Sequence, residues 1–156
     1  MEPLFFCTFQ QIHNLLCSNI METKLNGKVI CVAASSKGLG FGIAKQAAKE
    51  GAHVSIASRN LENVTQAVDQ LNSIATGHIK GYVLDASQPE SIKDWISATI
   101  DDFGSIYGLV TNAGGPPAGK FEDFNEQDWQ NAFELTLMSN VRMIREVLPI
   151  MKSNKI

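Results

Sequence analysis

Two rhythms alternate along the chain. Short unbroken apolar runs, rich in β-branched residues, give way to longer stretches in which an apolar residue returns every three or four positions. The first rhythm suits a strand buried on both faces and the second an amphipathic helix. Val29 to Ala33 is the first run. It breaks into Ala34-Ser35-Ser36-Lys37-Gly38-Leu39-Gly40, and Leu39, Ile43 and Ala47 then fall at helical spacing before Gly51 ends the segment. His53 to Ala57 predicts a second strand. A helix follows from about Leu61 to Ser73, with Leu61, Val64, Val68 and Leu71 on one face and Asn60 as its N-cap. A third strand is expected from Ile79 to Leu84. Ser87-Gln88-Pro89-Glu90 reads as a capping box with an early proline, opening a helix striped by Ile92, Trp95, Ile96, Thr99 and Phe103 and stopped by Gly104. A fourth strand, about Tyr107 to Thr111, runs into a glycine- and proline-rich loop. The last pattern is a long helix from near Asn125, striped by Trp129, Ala132, Phe133, Leu137, Val141, Ile144 and Leu148 and broken by Pro149.

Strands and helices therefore alternate four times. Right-handed crossovers turn that pattern into an α/β, doubly wound parallel sheet covered on both faces, with strand order 3-2-1-4. A ligand crevice is expected above the carboxyl ends of strands one and four, where the chain reverses its winding. The glycine turn after strand one and Asn112 after strand four lie at that rim.

Bulk properties narrow the picture. A chain of 156 residues forms one domain able to bury a core. Its net charge of −3 gives no broad basic surface for nucleic acid, and no apolar run is long enough to span a membrane. Cys7, Cys17 and Cys31 have no metal-ligand spacing, so no metal is expected, and the odd count suits a reducing, cytoplasmic setting. Residues 1–22 read as an atypical extension before a domain over 23–156. Phe5, Phe6, Phe9, Ile12, Leu16 and Ile20 share a face if helical, but a basic start is missing and the pattern is not that of a secretory signal.

The candidate chemistry sits in the first crossover. A strand, a glycine turn and a helix put bare amides and a helix N-terminus against a phosphate. Gly38 removes a Cβ from the approach and Gly40 lets the helix lie close to its strand. Strand two ends in Ser58-Arg59, with no carboxylate to accept a ribose 2′-hydroxyl. Arg59 and Lys37 are instead suited to a 2′-phosphate. The bland alternatives are a solvated Arg59 and an Asp85 that merely ends a strand.

These residues resemble the short-chain dehydrogenase/reductase family, whose fingerprint is Thr-Gly-x-x-x-Gly-x-Gly. Ala33 stands at the Thr position and Ala34 at the first Gly, which Ala tolerates where φ is negative; Gly38 and Gly40 match the other two. Asn112-Ala113-Gly114 matches the family's Asn-Ala-Gly after strand four. The resemblance covers about Leu25 to Ile156. It implies a cofactor site of Ala34, Ser36, Lys37, Gly38, Leu39, Gly40, Ser58, Arg59, Asp85, Ala86, Asn112, Ala113 and Gly114. In it Asp85 meets the adenine amino group with Ala86 beside it, Asn112 steadies the sheet, and Ala113-Gly114 admit the nicotinamide ribose. Lys37 with Arg59 is the family's NADP(H) pattern, in preference to NAD(H). Within the family the look is closest to 3-oxoacyl-[acyl-carrier-protein] reductases and related sugar or alcohol dehydrogenases. Gly-Gly-Pro-Pro, 114–117, is expected to line the substrate side.

The family's catalytic Ser and Tyr-x-x-x-Lys are not met. Tyr82 and Tyr107 are followed four positions on by Ala86 and Thr111. The resemblance implies that the Ser strand and Tyr-Lys helix would come after Lys155, so a catalytically incomplete cofactor half, truncated after four strands, is expected. The family's Asn in the long helix falls on Thr136, and Asn140 is a candidate stand-in one turn away. Two functional readings stay open. One is the NADP(H)-binding part of a reductase that transfers hydride to or from a carbonyl or alcohol. The other is a non-catalytic nucleotide-binding or dimerisation module pairing with a full-length homologue through Leu135, Met138, Arg142 and Arg145. An apolar edge beside strand four is expected, and residues 1–20 are a candidate cover for it.

Overall fold

The structure is a computed structural model and describes residues 23–155. The candidate role of residues 1–20 and the extension 1–22 therefore lie outside the described residues. Four parallel strands, β1 (Val29–Ala33), β2 (His53–Ser58), β3 (Ile79–Val83) and β4 (Gly108–Val110), form one sheet in the order β3-β2-β1-β4. The expected strand order is the observed one. β1 sits second from the β4 edge and is buried throughout, as its unbroken apolar run requires. Its register pairs Val29 with His53 and Ala33 with Ala57 on one side, and Ile30 with Gly108 and Val32 with Val110 on the other. β4 pairs over three residues, all half-buried, and no strand borders its outer edge among the described residues.

Alternation along β1 sends side chains to two cores. Ile30 and Val32, with Val54 and Ile56 of β2, face α1 (Gly38–Lys49) and α2 (Leu61–Asn72). Cys31 and Ala33, with Ala57, face α3 (Pro89–Phe103) and α5 (Ser139–Ser153). Trp95 is the largest fully buried side chain, and its indole N–H donates to Ser55 Oγ at 2.9 Å, so the second core is stitched by a buried polar bond. Asn60 caps α2 by accepting from the Asn63 N–H at 2.8 Å, and α3 ends on Gly104 in the left-handed region, as expected.

Several local expectations need correction. Leu39 and Leu61 are exposed rather than core residues; each lies in the first turn of its helix, beyond the sheet, and the buried face of α1 is Gly40, Ala44, Ala47 and Ala48. Ser87 closes no capping box. Gln88 takes the N-cap position without a side-chain bond, because Ser87 Oγ is turned back to donate to Asp85 Oδ1 at 2.7 Å. The long final helix starts where expected, with Asn125 capping α4 (Glu126–Phe133), but a π-helical turn at Glu134–Met138 separates α4 from α5. Pro149 lies inside α5 rather than ending it. The stripe assigned to the core is largely exposed: Trp129, Phe133, Leu137, Ile144 and Leu148 are each 44–50% accessible. The face that packs on α3 and the sheet is Ser139, Met143 and Val147, offset from that stripe.

Candidate cofactor site

At the carboxyl ends of the strands, three connections meet. The turn after β1 begins with Ser35, which is buried and fixed on both sides. Its hydroxyl donates to the Val32 carbonyl at 2.6 Å and accepts from the Ala57 N–H at 3.2 Å, and its own N–H donates to the Ala57 carbonyl at 3.1 Å. Ser36 Oγ donates to Ser58 Oγ at 2.9 Å, tying the same turn to the end of β2. From the other side, the Asn112 side-chain amide donates to the Ala34 carbonyl at 3.1 Å. The turn is thus anchored to both neighbouring strands before the helix begins.

Gly38 has φ +62°, where only glycine rests without strain, and nothing lies within 4 Å of where its Cβ would be. Its open side leaves room for a ligand to approach the backbone. A Cβ on Gly40 would stand 2.5 Å from the Ala34 carbonyl oxygen and 2.8 Å from Asn112 Nδ2, so this glycine lets α1 press against the end of β1. No side chain caps α1. Its first-turn amides have no intrahelical acceptor and remain available to an anion, as does the positive end of the helix dipole. Ala34 corrects an expectation: its φ is +46°, not negative. Its Cβ therefore crowds its own backbone, a conformation that costs about 1–2 kcal/mol outside glycine.

A cleft of about 230 Å³ opens above this turn. Ala34, Ser36, Lys37, Ser58, Arg59, Ala86, Asn112, Ala113 and Gly114 line it, so nine of the thirteen residues picked from sequence are brought together there. Gly38, Leu39 and Gly40 support the turn from below as the first turn of α1, with Leu39 pointing to solvent. Asp85 is drawn into its own loop: Oδ1 accepts from the Ser87 N–H at 3.0 Å and from Ser87 Oγ, while its N–H donates to Ser91 Oγ at 3.0 Å. Its neighbours Leu84 and Ala86 line the cleft instead. Leu84 and Leu135 are lining residues that sequence reasoning missed. Leu84 could have been found from its place between strand three and Asp85; Leu135 carried no signal, since it arrives from the π-helical turn. The charges at the mouth are Lys37 and Arg59, both exposed. The Arg59 guanidinium reaches across toward the β4 loop, 3.9 Å from where a Gly114 Cβ would be. No carboxylate lines the cleft among the described residues.

Thr136 lies in the π-helical turn, and its hydroxyl donates to the Ala132 carbonyl at 2.6 Å, as expected for a helical Thr. Asn140 donates to the Thr136 carbonyl at 2.9 Å, while its Oδ1 is buried without a partner among the described residues. Of the outer-face residues, Arg142 is half-buried and held by Glu134 at 2.6 Å, and Leu135 faces the cleft; Arg145 remains exposed.

Residues 28–156 match the family described as short chain dehydrogenase. The chain belongs to the short-chain dehydrogenases. It is 33% identical over 127 residues to "Dehydrogenase/reductase SDR family member 4" of Caenorhabditis elegans, covering 81% of this chain and 49% of that protein. Among solved structures, the L-sorbose reductase of Gluconobacter frateurii, complexed with NADPH and L-sorbose, aligns with a TM-score of 0.81 at 29% identity, over 86% of this chain and 51% of that one. An NADH-dependent reductase complexed with NAD aligns at 0.78 with 23% identity, over 86% and 56%, a likeness of fold alone. The chain thus spans about half the length of the short-chain dehydrogenases it matches. The expected doubly wound fold is that of this family. Among the described residues, no helix is long and apolar enough to cross a membrane.

Proposed function

We propose that this chain is the NADP(H)-binding part of a short-chain dehydrogenase whose reaction moves hydride between NADP(H) and a carbonyl or alcohol. The observation that carries the reading is the charge pattern of the cleft: Lys37 and Arg59 stand at its mouth and no carboxylate lines it among the described residues. A 2′-phosphate needs cationic partners and is repelled by the acid that suits a plain ribose. The residues fit the dinucleotide. The uncapped first turn of α1 receives the diphosphate, Gly38 leaves the backbone bare at that point, and Ala113 and Gly114 keep side chains away from the nicotinamide ribose. When bound, the nicotinamide supplies or accepts the hydride.

The proton relay is a separate matter. Tyr82 is fixed in structure, its hydroxyl donating to Asp102 Oδ2 at 2.6 Å, with burial and that carboxylate pushing its pKa up, away from the range of a base. Tyr107 sits over by Lys28, whose ammonium lies 4.9 Å from the ring centroid. Neither tyrosine lines the cleft. The 156-residue chain is therefore expected to bind cofactor without turnover, in a cytoplasmic setting.

Calorimetric titration of the full chain with NADP⁺ and NAD⁺ tests this. NADP⁺ should bind at least about tenfold more tightly, and Arg59→Ala should abolish the difference without touching NAD⁺ affinity. Equal affinities in the parent chain would defeat the reading, as would NADPH oxidation with a ketone for the absence of turnover. A second reading, a module that pairs with a longer relative, is favoured by the exposed residues Phe133, Leu137, Ile144 and Leu148 along α4, the π-helical turn and α5. Light scattering of the chain mixed with such a relative distinguishes it.

A further inference from the structure

Beside the cofactor cleft lies a larger, partly open cavity of about 390 Å³, flanked by Pro116 and Pro117 on one side and by α4 on the other. Pro116, Pro117, Phe124, Trp129, Ala132 and Leu135 make its apolar wall. Two features connect it to the cleft. Leu135 lines both, and the loop that carries Ala113 and Gly114 past the cleft continues directly into Pro116 and Pro117. The size lies in the usual range for small-molecule pockets, roughly 300–1,000 Å³.

The two polar side chains on the wall are each partly engaged, with Asp128 Oδ1 and Asn131 Nδ2 keeping bonding capacity. Asp128 Oδ2 accepts from the Asn125 N–H at 2.9 Å, closing the capping box of α4, and Asn131 Oδ1 accepts from Gln127 Nε2 at 3.1 Å. A polyhydroxy compound entering here would lose water from each hydroxyl and find few partners in return. An aryl or alkyl body loses nothing and gains contact with Phe124, the Trp129 face and the two prolines, which present rigid apolar surface at small entropic cost. Trp129 is itself braced by Phe121 and Phe124, with ring centroids 5.5 and 6.3 Å away. The wall is thus built from rings that hold one another in place.

We infer that this cavity receives the apolar body of a carbonyl substrate, so the chain selects aryl or alkyl ketones and aldehydes over sugars. The inference rests on the NADP(H) reading above, since it is that reading which puts the reacting carbon near Ala113 and Gly114. It departs from the polar substrate named for the structurally similar sorbose reductase.

The test uses the full chain labelled with ¹⁵N, following its two indole N–H signals. Trp129 lines the cavity, whereas Trp95 is buried and bonded to Ser55, so its signal is an internal reference. Benzylacetone should shift the Trp129 signal saturably and leave Trp95 in place, and L-sorbose should move neither. Ala132→Phe fills the cavity and should weaken benzylacetone binding at least about tenfold, with the NADP⁺ titration unchanged. If the larger ring disturbs α4, Ala132→Asp, which adds a second carboxylate to the wall, should do the same. A Trp129 signal unmoved by benzylacetone, moved equally by L-sorbose, or shifted as before in a folded Ala132 variant overturns the inference. Ketone binding without NADP⁺ binding would instead defeat the cofactor reading and leave the cavity's preference standing.

Discussion

The Asn112 side-chain amide donates to the Ala34 carbonyl at 3.1 Å, joining the end of β4 to the end of β1 across 78 positions of chain. β4 contributes three residues to the sheet, so this bond extends a short pairing by one link just where the cofactor turn begins. Asn112→Ala should lower stability by about 1–2 kcal/mol, the cost of an unsatisfied partly buried carbonyl. Asn112→Asp should cost more, because a carboxylate then faces the carbonyl. Urea midpoints rank the two variants; a milder effect for Asp would mean the bond does not hold the strand ends.

Ala34 carries the opposite kind of opportunity. It is held at φ +46° by its neighbours' bonds, in a region where a Cβ is strained. Ala34→Gly removes that strain but loosens the unfolded chain, so the two effects partly offset. The net should be a gain of up to about 1 kcal/mol, seen as a higher melting temperature, with NADP⁺ binding at least as tight. A fall in melting temperature would show that the turn is relaxed as it stands.

The strain at Ala34 illustrates which parts of the molecule were legible in the sequence. Strand order and the meeting of residues 34–37, 58–59 and 112–114 followed from unbroken apolar runs and right-handed crossovers, which leave little choice of topology. Nothing about an alanine announces a positive φ, whereas a glycine there would have. The final helices failed differently. Phe133, Leu137, Ile144 and Leu148 recur at helical spacing and are all exposed, because periodicity reports spacing, not what covers the side chains. The face that packs is set by tertiary contacts of Met143 and Val147 with α3 and the sheet. Likewise Ser87 had the composition of a cap, yet the nearer Asp85 carboxylate claimed its hydroxyl.

Alkaline pH should destabilise the fold through the second core. Burial pushes the Cys31 thiol up from 9.0 to about 12, against the opposing hydrogen bonds from Ser55 and Thr99. A raised folded-state pKa means that the stabilising neutral form is fully present below pH 9 and that its contribution is lost as pH rises toward 12. The loss accumulates across that window because the thiol of the unfolded chain ionises first. Tyr82, raised by burial and by Asp102, adds in the same direction at higher pH. Cys31→Ala should be less stable at neutral pH yet decline less steeply between pH 9 and 12. Parallel declines in urea-derived stability would show that the thiol does not govern the loss.

Gly40 is where packing and binding are hardest to separate, and one substitution separates them. A Cβ there meets the Ala34 carbonyl oxygen at 2.5 Å and the Ser35 Cα at 3.0 Å, both backbone atoms of the anchored turn, as well as Asn112 Nδ2 at 2.8 Å. Two are backbone atoms and the third, Asn112 Nδ2, is held by its bond to the Ala34 carbonyl, so α1 must back away from β1 or the turn must open. Gly40→Ala should therefore cost about 1–3 kcal/mol, the usual penalty for forcing a methyl into a filled site. Displacing the first turn of α1 also moves the amides offered to the diphosphate, so NADP⁺ affinity should fall with stability. At Gly42, on the same helix, nothing lies within 4 Å of an added Cβ, and Gly42→Ala should leave binding intact while raising helix stability by up to about 1 kcal/mol. If both substitutions behave alike in thermal melts and NADP⁺ titrations, the contact between α1 and the end of β1 is not what fixes the cofactor turn.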